Sequence, residues 1–239
     1  MMTVTDTMRR LKDKARPGQL DGMARFGISI KKRLGVPIPD LRALAKEIGK
    51  NHDLALKLWD TGISDARILA GMIDEPNKLT GKQMEDWVKD FDSWDVCDQV
   101  CMNLFEKTPL VREKIKQWSR RKEEYVKRAA FALIACLAWH DRTAGDGVFM
   151  AFFSLIKKAA TDERNYVKKA VNWALRNIGK RNGDLNRAAL KLAKEIIAID
   201  SRPARWIASD AIRELSSMPV KKRLEKRSSC GHHDRQEQT

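Results

Sequence analysis

The chain has 239 residues, of which 43% are hydrophobic and 33% charged, and its formal net charge is +15. This composition predicts a soluble globular protein, because no apolar run approaches the ~20 residues of a bilayer-spanning helix and the N-terminal segment lacks the apolar core of a secretory signal. The four cysteines form no CxxC pair, so we expect a cytoplasmic protein without a disulfide framework.

Helices follow one another along the chain. Apolar residues recur at spacings of three and four in several segments, which is the pattern of amphipathic helices, and no segment alternates as a strand does. These segments are 41–50, 126–139, 167–179, 190–199 and 205–215. Between them lie short stretches rich in Pro, Gly, Asn and Asp, such as GVPIPD and KRNGD, which end helices or start new ones.

An internal repeat sets the predicted architecture. The segments EEYVKRAAFAL and RNYVKKAVNWAL align Tyr125 with Tyr166, an offset of 41 residues, and RPARWIASDAI follows at an offset of about 37. These spacings are close to the ~40–47 residues of HEAT repeats, whose helix pairs bury their apolar stripes against their neighbours. We therefore predict an all-α fold, an α-solenoid of HEAT-like repeats forming a superhelix over residues 1–220. Residues 221–239 lack apolar periodicity, which predicts a basic, disordered tail.

The segment SWDVCD lies in the most acidic part of the chain, where six carboxylates and one lysine occur between Glu85 and Asp98. Ser93 is a candidate N-cap, and Trp94 and Asp98 are four residues apart, so they share one helical face. Asp95 faces elsewhere and could assist the cap. The alternative is that Trp94 packs between repeats and Asp98 is a solvated surface acid.

The charge excess lies further along the chain. Residues 112–220 carry a net charge of +11, against +1 for residues 1–111 and +3 for residues 221–239. Arg128 and Lys169 are one repeat apart, which predicts a row of basic side chains suited to phosphates. Trp173 follows Lys169 by one helical turn, and Arg176 lies three residues further on. Such residues are also common as solvated charges and space-filling rings, and a basic surface also serves solubility.

These motifs resemble the HEAT-like-repeat DNA glycosylases of the AlkD type, the DNA alkylation-repair proteins. The resemblance runs in order through residues 25–48, SWDVCDQ, YVKRAAF and YVKKAVNWALR, and so covers most of the chain. Each motif is weak alone, and the set in this order is specific. Phe26 departs from the pattern, since the family often has a tyrosine there, and a hydroxyl contact would be lost.

The resemblance implies a monofunctional glycosylase that hydrolyses the N-glycosidic bond of cationic alkylated purines, such as N3-methyladenine or N7-methylguanine, in duplex DNA. It implies an active-site cleft of Asp98, Trp94 and Trp173 with Arg128 beside it, and a monomer without metal or cofactor. Asp98 would stabilise the developing sugar cation and position water. The implied DNA-binding residues are Lys127, Lys168, Lys169, Arg176 and Phe26.

Other functions stay open at the level of sequence. A HEAT-repeat module that binds nucleic acid or scaffolds protein partners would share the fold, although an acid near phosphates would serve it poorly. A bifunctional lyase needs an amine nucleophile, for which Lys127 and Lys169 are candidates by proximity. Cys97, Cys101 and His140 are a weak metal set, because cysteines four residues apart in a helix are usually packed thiols.

Overall fold

The computed structural model describes residues 2–233, and the surroundings of side chains as far as Arg227. Within these residues the chain forms fifteen α-helices and two short 3₁₀ turns, and no strand, which confirms the all-α prediction. No described helix combines the length and apolar content that crossing a bilayer requires. The chain divides between Glu113 and Lys114 into two compact units.

The first unit contains the helices that hold SWDVCD. Its helices are α1 Val4–Asp13, α2 Leu20–Arg25, α3 Ile38–Ile48, α4 His52–Asp60, α5 Ser64–Ile73, α6 Gly81–Lys89 and α7 Trp94–Asn103, and α8 Val111–Trp118 spans the division. The 3₁₀ turns are Pro17–Gln19 and Phe105–Lys107. Helix α5 is the centre of this unit, because it packs against α3, α4 and α7 and buries eight of its ten residues.

Asp65 ties the centre of the first unit to the loop before α3. Its carboxylate is buried and accepts hydrogen bonds from the backbone N–H groups of Leu34, at 2.7 Å, and Val36, at 2.8 Å. Between them, Gly35 has a φ of +76°, and a Cβ there would stand 2.8 Å from the carbonyl oxygen of Arg16. The loop therefore needs both the carboxylate and the glycine.

The second unit is built around α9. Its helices are α9 Glu124–His140, α10 Asp146–Ala151, α11 Phe153–Ala159, α12 Asn165–Gly179, α13 Gly183–Ile197, α14 Arg202–Leu215 and α15 Met218–His233. Every residue of α9 from Arg128 to Ala138 is buried. Helix α12 packs against α9, and α14 packs against α12. The rings of Tyr125 and Tyr166 stack with centroids 5.8 Å apart, so the predicted repeat is present as stacked equivalent helices.

The prediction of a disordered tail was wrong as far as residue 233. Residues 221–233 belong to α15, which contacts α13 and α14 and buries Val220 and Leu224. These two apolar side chains lie one helical turn apart and so share the face of α15 that is buried. Residues 234–239 lie outside the described part of the chain.

We predict that Asp65→Ala lowers the free energy of unfolding by about 3 kcal/mol, because it leaves two buried backbone donors without an acceptor. Urea unfolding followed by tryptophan fluorescence measures the change. Asp184→Ala is the control, since Asp184 is exposed and, within the described part of the chain, pairs with Arg187 three residues away in its own helix. Equal stability of the two variants would contradict the role given to Asp65.

Candidate nucleic-acid interface

The start of α7 is held by a buried ion pair. The guanidinium group of Arg33, with its side chain 1% exposed, donates to the two carboxylate oxygens of Asp95 at 2.7 and 3.0 Å. Ser93 stands at the N-cap position, but its hydroxyl donates to Asp95 at 2.6 Å and accepts from the N–H of Ser29 at 3.1 Å, without capping the helix. Asp95 therefore serves to anchor the segment before α3 to α7.

Trp94 and Asp98 lie one turn apart on the half-buried side of α7, while Val96 and Cys97 point into the core. The indole Nε1 of Trp94 donates to the carbonyl oxygen of Phe26 at 3.1 Å, which holds the ring at the end of α2. The Phe26 ring itself is 77% exposed. The structure thus brings together three predicted site residues of the first unit, Trp94, Asp98 and Phe26.

Most of the acidic segment has structural partners. Asp90 accepts from the Nε1 of Trp59 at 2.8 Å and pairs with Arg67 at 2.9 Å, and Asp86 pairs with Lys82 on the same helix at 2.6 Å. Asp92 accepts from the hydroxyl of Ser29 at 3.0 Å, and Asp95 is the partner of Arg33. The local excess of carboxylates is therefore largely a set of ion pairs and hydrogen bonds that join helices.

In the second unit, Arg128 is buried between equivalent helices. It is only 5% exposed, and its Nη1 donates to the carbonyl oxygen of Tyr166 at 2.7 Å. This bond joins the start of α9 to the start of α12. A contact of Arg128 with phosphate stays a prediction.

Lys127 is part of an ion-pair cluster with Asp162. The Nζ of Lys127 lies 2.8 Å from the Asp162 carboxylate, which also pairs with Arg164 at 2.6 Å. Burial raises the pKa of Asp162, but the hydrogen bonds from Arg164 and Lys127 outweigh it, so the pKa is held well below its usual value. Lys127 therefore has a structural partner in this structure.

The remaining predicted DNA contacts differ in their surroundings. Lys169 is exposed on α12, whereas Lys168 places its Nζ 4.9 Å from the ring centroid of Trp206 on α14. Arg176 pairs with Glu214 and lies 3.4 Å from Asp210. Lys169 is thus presented to solvent, and the charge of Arg176 is already balanced by carboxylates of α14.

Trp173 is half-buried on α12 and lines a cavity of about 310 Å³ within the second unit. The cavity is also lined by Trp139, 50% exposed at the end of α9, and by Arg223 and Arg227 of α15. Sequence reasoning missed these three residues. Trp139 could have been found, because it stands eleven residues after Arg128 and so on the same face of α9. The arginines were assigned to a disordered tail.

The family model of the DNA alkylation repair enzymes matches residues 7–215. The chain belongs to this family. Membership gives the protein a role in DNA repair. Trp94, Asp98, Arg128 and Trp173 all lie within the matched range, whereas α15 begins after its end. The cavity beside Trp173 therefore combines helices of the family segment with a helix outside it.

Two relatives place the chain in context. The uncharacterized protein Lin0241 of Listeria innocua serovar 6a is 23% identical over 165 residues, which cover 68% of this chain and 71% of that protein. A solved structure is described as "a new family of proteins related to the HEAT-like repeat DNA glycosylases with affinity for branched DNA structures". It has a TM-score of 0.73 at 18% identity and covers 89% of this chain and 95% of that chain. This likeness confirms the HEAT-like fold class.

The Asp162 cluster makes stability depend on pH. The pKa of Asp162 is lower in the folded state than in the unfolded state, where it is ~3.9. The ion pairs of Asp162 therefore contribute fully to the free energy of unfolding above pH ~3.9, and this contribution is lost as the pH falls from there toward the folded-state pKa. We expect Asp162→Asn to lose about 2 kcal/mol of unfolding free energy at pH 7 and a smaller amount at pH 3, where the unfolded state has begun to take up the proton and the folded cluster has not. Urea unfolding at both pH values measures this, with the exposed Asp200→Asn as control. A deficit that does not depend on pH would contradict the ion-pair interpretation.

Proposed function

We propose that the protein is a monofunctional DNA glycosylase that releases cationic alkylated purines, of the N3-methyladenine and N7-methylguanine type, from duplex DNA. The observation that carries the proposal is the pair of Trp94 and Asp98 on the half-buried side of α7, in a chain of the DNA alkylation repair enzyme family. The active form is taken to be a cytoplasmic monomer that needs neither metal nor cofactor.

The chemistry needs a carboxylate and no general acid. An alkylated purine already carries a positive charge, so it leaves as a neutral base when the bond between C1′ and the ring nitrogen breaks and the nitrogen keeps the electron pair. Positive charge then grows on the sugar, where the ionised Asp98 stabilises the transition state more than the ground state. A water oxygen forms the new bond to C1′, and its proton passes to the carboxylate of Asp98. The indole face of Trp94, on the same side of α7 as Asp98, favours the cationic sugar.

The fixed position of α7 supports a catalytic role for Asp98. Asp95 is bound by both terminal nitrogens of Arg33 and by Ser93, so its lone pairs are committed to the fold. Asp98 is one turn further along and shares its side of the helix with Trp94. A carboxylate that acts on a substrate needs to be held by rigid elements, and the Arg33 pair supplies that support.

The basic second unit is proposed to hold the duplex. Residues 112–220 carry a net charge of +11, and a cationic surface of this kind binds the phosphate backbone without regard to sequence. Lys169 is the best placed of the predicted contacts, because it is exposed and, within residues 2–227, has no ion-pair partner. Lys127 and Arg176 would have to share or give up the carboxylates that bind them.

We predict that Asp98→Asn reduces base release at least 100-fold and changes the Kd for DNA no more than about twofold, because it removes charge stabilisation and keeps the side-chain shape. Chromatographic detection of methylated base released from methylated duplex measures the first effect, and anisotropy measures the second. Asp86→Asn is the matched control, since Asp86 is an exposed acid of the same segment paired with Lys82. Release by Asp98→Asn at the rate of this control would refute the role of Asp98.

Duplex binding is expected to weaken steeply with salt, and Lys169→Ala is expected to reduce the slope of log K against log salt by about one. Fluorescence anisotropy at several salt concentrations measures the slope. Lys158→Ala removes the same charge from an exposed position of α11 and serves as control. If both variants keep the wild-type slope, Lys169 does not contact phosphate. If binding by the wild type does not depend on salt, a protein partner is favoured over DNA.

The second candidate is a HEAT-repeat module that binds DNA without cutting it. It is favoured by one observation, the solved structure of the same fold whose description gives it affinity for branched DNA structures. Wild-type protein that binds methylated duplex and releases no base would support this candidate. Of the two candidate amines for a lyase reaction, that of Lys127 is occupied by Asp162, which leaves Lys169.

A further inference from the structure

The cavity beside Trp173 concentrates positive charge. It is lined by five cationic side chains, and among the described residues that line it there is no carboxylate; the cations are Arg142, Arg176, Lys180, Arg223 and Arg227. Glu214, which pairs with both Arg176 and Lys180, and Asp210, which lies 3.4 Å from Arg176, offset the charges of these two side chains. Within residues 2–227, neither Arg142 nor Arg223 has an ion-pair partner. The cavity therefore holds uncompensated charge that a bound anion would neutralise.

Helix α15 presents the arginines from a fixed position. Val220 and Leu224 anchor the helix, and the Nη1 of Arg227 donates to the carbonyl oxygens of Lys180 and Arg181 at 3.0 and 3.1 Å. Burial, followed by the charges of Arg223, Arg142 and Arg181, lowers the pKa of Arg227. These guanidinium groups are brought together against their mutual repulsion, as expected where an anion binds between them.

Two indole rings complete the cavity. Trp139 is 50% exposed, and its ring stacks on His140 with centroids 5.3 Å apart, which limits its motion. Trp173 contributes the second ring, from α12. An exposed, held indole beside arginines is the combination that binds an unpaired base by stacking and its phosphate by charge-assisted hydrogen bonds. A volume of about 310 Å³ is at the lower end of the range for small-ligand sites.

We propose that this cavity binds one unpaired nucleotide, with the base stacked on Trp139 and the phosphate held by Arg142, Arg223 and Arg227. The ligand chemistry is that of a nucleoside phosphate, which a single-stranded branch of DNA or a free nucleotide could supply. The cavity shares Trp173 with the implied active-site cleft, but neither α7 nor Asp98 lines it, so an Asp98 variant can separate base release from nucleotide binding. It adds a second DNA contact to the protein, on a helix that lies beyond the family segment.

The test compares a blunt duplex with the same duplex carrying a short single-stranded flap, using the full chain and fluorescence anisotropy at one physiological salt concentration. We expect the wild type to bind the flap duplex at least fivefold more tightly. The double variant Arg142→Ala/Arg223→Ala should lose this preference, and Trp139→Ala should reduce it about fivefold. The control Arg202→Ala/Arg205→Ala removes two exposed arginines outside the cavity and should weaken both duplexes equally.

Competition separates the two sources of the ligand. A nucleoside 5′-monophosphate, the bare nucleoside and inorganic phosphate are compared as competitors at the same concentration. If only the monophosphate removes the flap preference, free nucleotides also fill the cavity. A flap preference that only single-stranded DNA can compete away would assign the site to the DNA strand. Either result supports a nucleotide site, provided that the arginine double variant has lost the response.

The proposal is overturned if the wild type shows no flap preference, or if the Arg142→Ala/Arg223→Ala variant retains the wild-type preference. Circular dichroism and the urea midpoint establish that the variants are folded, and Trp139→Phe should keep most of the preference because it retains a stacking ring. Asp98→Asn should keep the full flap preference. Failure of base release and failure of nucleotide binding are thus observed in different variants and different assays.

Discussion

Close packing of α12 on α9 is the constraint on which the second unit depends. Both helices bury small side chains, including Ala129, Ala132 and Ala170, and small side chains allow packed helices to approach closely. Because the apolar stripe of each repeat is covered only by its neighbours, the larger and charged residues are displaced to the remaining face. Trp173 and Lys169 are presented there by the same helix that buries Val171 and Ala174.

The two units use charge differently. In the first unit, opposite charges are paired across helices, as in Arg33 with Asp95 and Arg67 with Asp90, so that acids serve mainly to join elements. In the second unit basic side chains outnumber acidic ones. Some basic side chains, such as Lys127, form ion pairs, and others, such as Lys169, are exposed to solvent. An acidic segment within a basic protein is thus explained first by structural pairing, and the catalytic proposal concerns a single carboxylate of that segment.

The helices and the repeat could be predicted from sequence, because apolar spacing and the alignment of Tyr125 with Tyr166 are local or periodic signals. The pairing of Arg33 with Asp95 could not be predicted, since these residues are 62 positions apart and only the packed fold brings them together. Nor could α15, whose stable contact rests on two apolar side chains within a strongly basic run. The cavity was missed for the same reason, because two of its arginines belong to that helix.

The position of helix α15 affects how the sequence of such a protein can change during evolution. Helix α15 has one face against α13 and α14 and, as far as Arg227, one face in water, so substitutions on its outer face are tolerated by the core. The two arginines that it contributes to the cavity could therefore be exchanged, or the helix replaced, without repacking α9 and α12. Ligand preference and catalytic chemistry would then evolve on separate parts of the chain, the first at its C-terminal margin and the second within the repeats.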